Sequence, residues 1–296
     1  MMPASARPRR SVLFMPASNI RALEKARGLP ADGLIFDLED AVAPDAKPTA
    51  RDNIVRALAT GSYGRREVIV RVNALSTAWG HADLIAVAGM RVDGVMLPKV
   101  ESADTVRQAE AVLVEAGAPE HLSVWCMIET PRGVLRAEEI AAASSRIGGL
   151  VMGPADLTKE LRAHHTRDRL SLMTSFGLCL LAARAYGLAI LDGVHLDLAD
   201  DEGFLAACRQ GRELGFDGKT LIHPKTIAAA NAAFAPSQDE VALAHRIIAA
   251  HGEAVAAGKG VVLVDRRLIE NLHVANARRL VALAEAIALL EPTVTM

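Results

Sequence analysis

"GLIFDLED", residues 33–40, decides how this chain is read. Leu34, Ile35 and Phe36 are apolar strand formers, yet Asp37, Glu39 and Asp40 follow at once. A buried strand ends this way where it leaves a core and reaches a polar mouth. Short apolar runs of this kind recur at Ser11–Pro16, Gly33–Asp40, Glu67–Asn73, Gly94–Val100, Leu122–Thr130, Gly149–Asp156, Ala189–His195 and Lys219–Pro224. Several are apolar almost throughout, as parallel strands buried on both faces are.

The stretches between them have helical patterning. Ser102 is placed to cap a helix with Val106, Ala109 and Leu113 on one stripe, ending near Gly117. Asn19 is placed to cap a short helix through Ala26. Asp200 or Asp201 caps another, with Phe204, Leu205 and Cys208 inward. Strand–helix alternation over eight runs predicts an α/β fold, a (β/α)8 TIM barrel spanning residues 10–235. The competitor is a doubly wound open sheet. The first run is not followed by G-x-G-x-x-G, and the chain has no G-x-x-x-x-G-K-[ST].

Residues 236–296 exceed what a barrel needs to close and read as a helical C-terminal extension. One helix is expected from about Asp239 to Ala257. Another lies in "HVANARRLVALAEAIALL", with Leu280, Leu283, Ile287 and Leu290 at helical spacing, and "GKGVVLVDRRLIEN" sits between them. Apolar stripes with no barrel position left are expected to pack outside the barrel or on a neighbouring subunit.

Composition narrows the function. The 296 residues are 51% hydrophobic, enough for a large core, and the net charge is only -2. Without a basic block, and with 3% aromatic residues, a nucleic-acid partner is not expected. No stretch approaches the roughly 20 apolar residues of a membrane helix, and MMPASARPRR is not followed by a signal-peptide core. Cys126, Cys179 and Cys208 are widely spaced and odd in number, which predicts reduced thiols in a cytoplasmic protein.

In a barrel the C-terminal strand ends form the active-site face. Here those ends carry Asp37, Glu39 and Asp40; Arg71 and Asn73; Pro98 and Lys99; Glu129; Asp156; Asp192 and His195; and His223. Glu129 in "CMIETPRG" and Asp156 in "VMGPADL" close neighbouring runs. Two hard carboxylates suit Mg²⁺ or Mn²⁺; salt-bridged loop acids are the other reading. Arg71 has the planar fork for a substrate carboxylate, and it is equally placed to pair with the acids of "DLED". Lys99 faces the same choice. His195 and His223 are candidate bases or satisfied structural histidines, and His164–His165 read as solvated.

Seven segments in order are similar to one known family: "RSVLFMPASNIRALEKA", "ADGLIFDLEDAVAPDAK", "VIVRVN", "GVMLPKVES", "MIETPRGV", "GPADL" and "GFDGKTLIHPKTI". They resemble the citrate lyase β-subunit family, grouped with the HpcH/HpaI aldolases and including malyl-CoA and citramalyl-CoA lyases. The resemblance implies a Mg²⁺-dependent barrel that cleaves or forms a carbon–carbon bond between a 2-oxo acid and a CoA thioester such as acetyl-CoA. It implies Glu129 and Asp156 as metal ligands and Arg71 as a substrate contact. Glu39 and Asp40 would orient metal-bound water and Arg71, with Asp37 more structural. Ser18, Arg21 and Lys25 would lie at the CoA end, and Pro98 and Lys99 near the substrate.

Family members take their proton-transfer aspartate from the C-terminal segment of the next subunit. Here "RRLIEN" places Glu270 there, with Asp265 the alternative. A homo-oligomer, a trimer or hexamer, is therefore expected, its extension covering a neighbour's active site. Two alternatives fit the same residues: a malyl-CoA-type thioesterase, and a citrate lyase β chain dependent on an acyl-carrier subunit.

Overall fold

The computed structural model describes residues 7–290. Two compact units divide the chain: Arg9–Phe234, and Ala235–Met296 together with Met1–Pro8.

The first unit is a closed barrel of eight parallel strands, each paired with the next in the sequence and the last with the first. The strands are β1 Ser11–Pro16, β2 Gly33–Asp37, β3 Glu67–Arg71, β4 Gly94–Leu97, β5 Ser123–Ile128, β6 Ile147–Met152, β7 Ala189–Asp192 and β8 Gly218–Leu221. The helices around them are α1 Ile20–Lys25, α2 Lys47–Thr60, α3 Gly80–Ala88, α4 Ala103–Glu115, α5 Pro131–Leu135, α6 Ala137–Ala141, α7 Pro154–Glu160, α8 Met173–Ala185, α9 Asp201–Leu214 and α10 Ile227–Phe234. This is the TIM-barrel architecture expected from the alternation.

Alternate strand residues separate two cores, as the period of 2 requires. Val12, Ile35, Ile69, Met96, Trp125, Met127, Val151 and Leu191 fill the barrel interior. Leu13, Leu34, Phe36, Val70, Val95, Cys126, Leu150 and Ile190 face the helices. All three cysteines are buried free thiols. Small residues make room for the largest interior ring: a Cβ on Gly149 would sit 2.5 Å from Trp125.

The cap residues act as their chemistry predicts. Asn19 accepts from the Ala22 N–H at 3.1 Å, Ser102 from Thr105 at 3.3 Å and Asp200 from Gly203 at 2.9 Å. Phe204 and Cys208 are buried, but Leu205 is 39% exposed. The expectation for Leu205 is thus corrected: one residue past Phe204 turns 100° around the helix, off the inward face.

Seven of the eight apolar runs overreach the strands at their C-terminal ends. Leu38, Val72 and Val100 are fully buried yet lie beyond the last ladder pairs of β2, β3 and β4. Each still donates its N–H to the neighbouring strand, so the core continues past the paired residues into the first loop positions. Asp156 is also relocated: it sits in the first turn of α7, not at a strand end. Pro154 at the start of α7 is pre-set for a helix and cannot donate to a sheet ladder.

In the second unit, α11 (Gln238–Ala256) begins with a Ser237/Glu240 capping box and α12 spans Asn271–Leu290. Between them an antiparallel hairpin, β9 Val262–Val264 and β10 Arg267–Ile269, packs Val264 and Ile269 with Val274 into a small core. Its turn is Asp265–Arg266, at φ 48° and 64°. Two consecutive left-handed residues match the twist of a two-residue hairpin. No glycine marks this turn, so the hairpin is not signalled in the sequence.

Candidate active site

The strand ends bring the charged residues to one mouth. Asp37 is the last residue of β2 and Arg71 the last of β3, and the two strands pair in register at these positions. Glu129 follows β5 directly, and Asp156 is carried by α7 beyond β6. Asp37, Asp40, Arg71, Glu129 and Asp156 line one cavity of about 390 Å³, with Phe14, Met127 and Met152 among its apolar walls. Glu39 and Lys99 are not in that lining; they pair beside it.

Arg71 is held from several directions. Its Nε donates to Asp37 Oδ1 at 2.7 Å and its Nη2 to Oδ2 at 2.6 Å. Nη1 lies 2.9 Å from Glu39 Oε2, and the guanidinium stacks 4.8 Å from the Phe14 ring centroid. Burial works against the charge, but Asp37, Glu39 and Asp40 outweigh it and raise the pKa above its ordinary value. Arg71 is therefore both clamped by the "DLED" acids and part of the cavity wall. Asp37 is the chief clamp, and its carboxylate also accepts the Glu39 and Ala41 N–H groups. Glu39 is pushed upward by burial, against the pull of Arg71 and Lys99.

Lys99 has a left-handed backbone, φ 48°. Its N–H donates to Glu129 Oε1 at 2.8 Å, and its Nζ donates to Glu39 Oε1 at 2.7 Å. Glu129 is 2% exposed. Burial, with Glu39 and Asp156 nearby, pushes its carboxyl up to about 7 despite Lys99. Gly153 lets the next loop pass close: a Cβ there would lie 2.4 Å from the Glu129 Cβ.

These residues fit a hard divalent cation. A buried carboxyl held back from ionising, with two more acids beside it, is short of positive charge. Among the described residues no three His, Cys, Asp or Glu side chains form a metal-holding group. Zinc cages need that many ligands, whereas Mg²⁺ is held by one or two carboxylates and keeps several waters.

A pH dependence follows. The folded pKa of Glu129 lies above its ordinary value of 4.5. Its contribution to metal-free stability is thus complete below that value and is lost as pH rises through about 7. Metal binding needs the carboxylate and runs the other way. Mg²⁺ affinity is expected to tighten roughly tenfold from about pH 6 to about pH 8, with proton release at the lower pH. Titration calorimetry in two buffers of different ionisation enthalpy measures both quantities. A flat pH profile without proton release would remove Glu129 from the metal.

The other expected site residues fall elsewhere. Ser18, Arg21 and Lys25 are exposed along the β1–α1 loop and α1, outside the cavity lining, and Pro98 is buried in the β4 turn. Glu270 is exposed in the second unit, just before α12, where its N–H donates to His273 Nδ1 at 3.0 Å. Asp265 forms the hairpin turn and pairs with Arg246 at 2.8 Å. His195 lines a second cavity, of about 380 Å³, with His164 and His165, and packs edge-on to Phe204. His223 accepts the Lys225 N–H at 3.1 Å and acts as a cap. Phe14, Met127 and Met152 are cavity walls that the sequence does not single out. For Phe14 the available signal was the strand's alternation, which turns it toward the barrel axis with Val12.

Comparison with known proteins agrees with this geometry. The family model for HpcH/HpaI aldolase/citrate lyase matches residues 10–224. The chain is 53% identical to a (3S)-malyl-CoA thioesterase of Cereibacter sphaeroides over 97% of its own length and 98% of that protein's. It is 37% identical to the citrate lyase β subunit of Escherichia coli, over 94% of each chain. Among solved structures, protein CitE from Mycobacterium tuberculosis, in complex with magnesium, acetoacetate and coenzyme A, superposes with a TM-score of 0.76 at 34% identity. That match covers 96% of this chain and 100% of the other. Taken with the closed barrel and the charged residues at its mouth, these matches show that the chain belongs to the HpcH/HpaI aldolase/citrate lyase family.

Proposed function

We propose that this protein is a Mg²⁺-dependent lyase that reversibly cleaves the CoA thioester of a 3-hydroxy acid into a 2-oxo acid and acetyl-CoA or a close relative. One observation carries this reading: Arg71, Glu129 and Asp156 share a cavity whose lining takes a hydroxyl from Thr220 and, among the described residues, contains no serine, cysteine, lysine or histidine. A covalent acyl-enzyme route through those groups is therefore disfavoured, and charge stabilisation is what the cavity offers.

Glu129 and Asp156 would hold the metal, which supplies Lewis acidity and a fixed template for oxygen ligands. Arg71 offers its guanidinium to negative charge on the oxo-acid oxygens. In the cleavage direction the hydroxyl gives its proton to a carboxylate of the cavity wall, and its carbon becomes the carbonyl of the oxo acid. The broken C–C bond leaves its electron pair on the thioester fragment as an enolate, and a carboxyl group then protonates that carbon. Asp37 and Glu39 keep Arg71 oriented throughout, and Asp40 adds negative charge at the rim.

We assign the carbon protonation to Glu270, acting in a homo-oligomer, a trimer or hexamer, whose C-terminal unit covers a neighbour's active site. The support is the place of Glu270 in the family pattern and the apolar surface of that unit: Leu263, Leu268, Leu272 and Leu289 are each more than half exposed. Mixed assemblies of Glu129→Gln chains and Glu270→Ala chains are expected to regain partial activity that neither has alone. A monomer by light scattering, or no recovery from verified mixed oligomers, would exclude this arrangement. Among the described residues no helix is long and apolar enough to cross a membrane. A cytoplasmic location, with no membrane or nucleic-acid partner, completes the reading.

Hydrolysis of a malyl-CoA-type thioester is the second reading, favoured by the 53% identical thioesterase. The 37% identical citrate lyase β subunit raises a third, a chain that depends on an acyl-carrier subunit. Incubating the purified protein with Mg²⁺ and malyl-CoA, and identifying products by mass, separates them. Glyoxylate with acetyl-CoA supports the lyase, and malate with free CoA supports the thioesterase. No turnover of any free CoA ester, including citramalyl-CoA, leaves the carrier-dependent reading.

A further inference from the structure

We propose that Lys99 is a positioning residue whose left-handed backbone sets the Glu129 carboxylate for metal binding through its N–H. This rests on the reading of Glu129 as a metal ligand. The ladder between β4 and β5 ends at the pair Leu97–Cys126. Pro98 follows, with no N–H to donate. At Val100 the chain is back on the neighbouring strand, its N–H donating to the Met127 carbonyl at 3.1 Å. Lys99 lies between these two points at φ 48°, and its N–H leaves the ladder to donate to Glu129 Oε1.

A non-glycine residue is disfavoured in that conformation, and such residues persist where the surroundings over-determine them. Here the surroundings are visible: the Lys99 ammonium is tied to Glu39 at 2.7 Å and the Val100 N–H to β5. The side chain anchors the turn, and the turn aims the N–H. One oxygen of Glu129 is thus fixed by a backbone donor, which limits how the carboxylate turns toward a cation. Partners of this kind, which orient a ligand without touching the metal, are worth roughly 10–100-fold in metal affinity.

The test compares Lys99→Gly, Lys99→Asn and Lys99→Val in the full-length protein, measuring Mg²⁺ dissociation constants by calorimetry at about pH 8. All three lose the ammonium, so its charge cancels in their ratios. Glycine and asparagine tolerate the left-handed backbone, whereas a β-branched residue resists it. The glycine and asparagine variants are expected to agree within about threefold and the valine variant to bind about tenfold more weakly. If the valine variant does not fold, Lys99→Ala replaces it and is expected to bind more weakly than Lys99→Gly. Equal affinities across the series, or a glycine variant as weak as valine, would overturn the proposal. Glu129→Gln is run alongside. Wild-type affinity in that variant would instead overturn Glu129 as a ligand, so the two failures are distinct.

Discussion

Glu129→Gln is expected to lose more than about 100-fold in metal-dependent turnover while its thermal stability holds. Orienting partners of ligands cost up to that much, so a ligand costs more. The fold survives because Glu129 does not stabilise the metal-free protein as an anion. Burial pushes its carboxyl up to about 7, so the neutral amide removes an unfavourable charge at higher pH. Above about pH 7 the metal-free variant is therefore expected to melt no lower than wild type. Asp156→Asn is expected to lose activity similarly, since Asp156 faces the same cavity from α7. Full activity of wild type with EDTA, or of either variant, would remove the metal from the reaction. Activity assays and thermal melts on the same preparations decide between these outcomes.

Arg71→Lys is the second large effect, a loss of about 100-fold or more in kcat/KM although the charge is kept. A lysine cannot give Asp37 two parallel N–H donors, reach Glu39 with a third, and present a planar face to Phe14. Arg71→Met is expected to behave differently. It leaves Asp37 and Glu39 buried without their main counter-charge, which costs about 3–5 kcal/mol of stability. Turnover and unfolding measured on both variants thus separate the roles. Lysine should retain most of the fold and little of the activity, and methionine should lose both. Near-normal turnover in Arg71→Lys would reduce Arg71 to a charge partner of the acids.

The barrel was legible because its strands are buried on both faces and begin abruptly, as at Gly33, Glu67 and Gly94. Their ends were not, since Leu38, Val72 and Val100 stay buried after the ladder stops. The charged residues at the mouth could be named from sequence because each follows an apolar run. Pairing of Arg71 and Lys99 with the "DLED" acids was one of two readings, and which acid each would take was not legible. The family resemblance sets Asp37 apart as the more structural acid, but the residue types in "DLED" do not show that Asp37 clamps Arg71 with both oxygens while Glu39 shares its charge between Arg71 and Lys99. The conformation of Lys99 was equally hidden, because a left-handed lysine has no residue-type signature. The hairpin at Asp265–Arg266 escaped for the same reason.

The most direct test is an anomalous-difference map from crystals soaked with Mn²⁺ and glyoxylate. A metal peak is expected bonded to the carboxylates of both Glu129 and Asp156, with the oxo acid against it and within hydrogen-bonding reach of the Arg71 guanidinium. A peak elsewhere in the chain, or no peak at this cavity under saturating Mn²⁺, would contradict it.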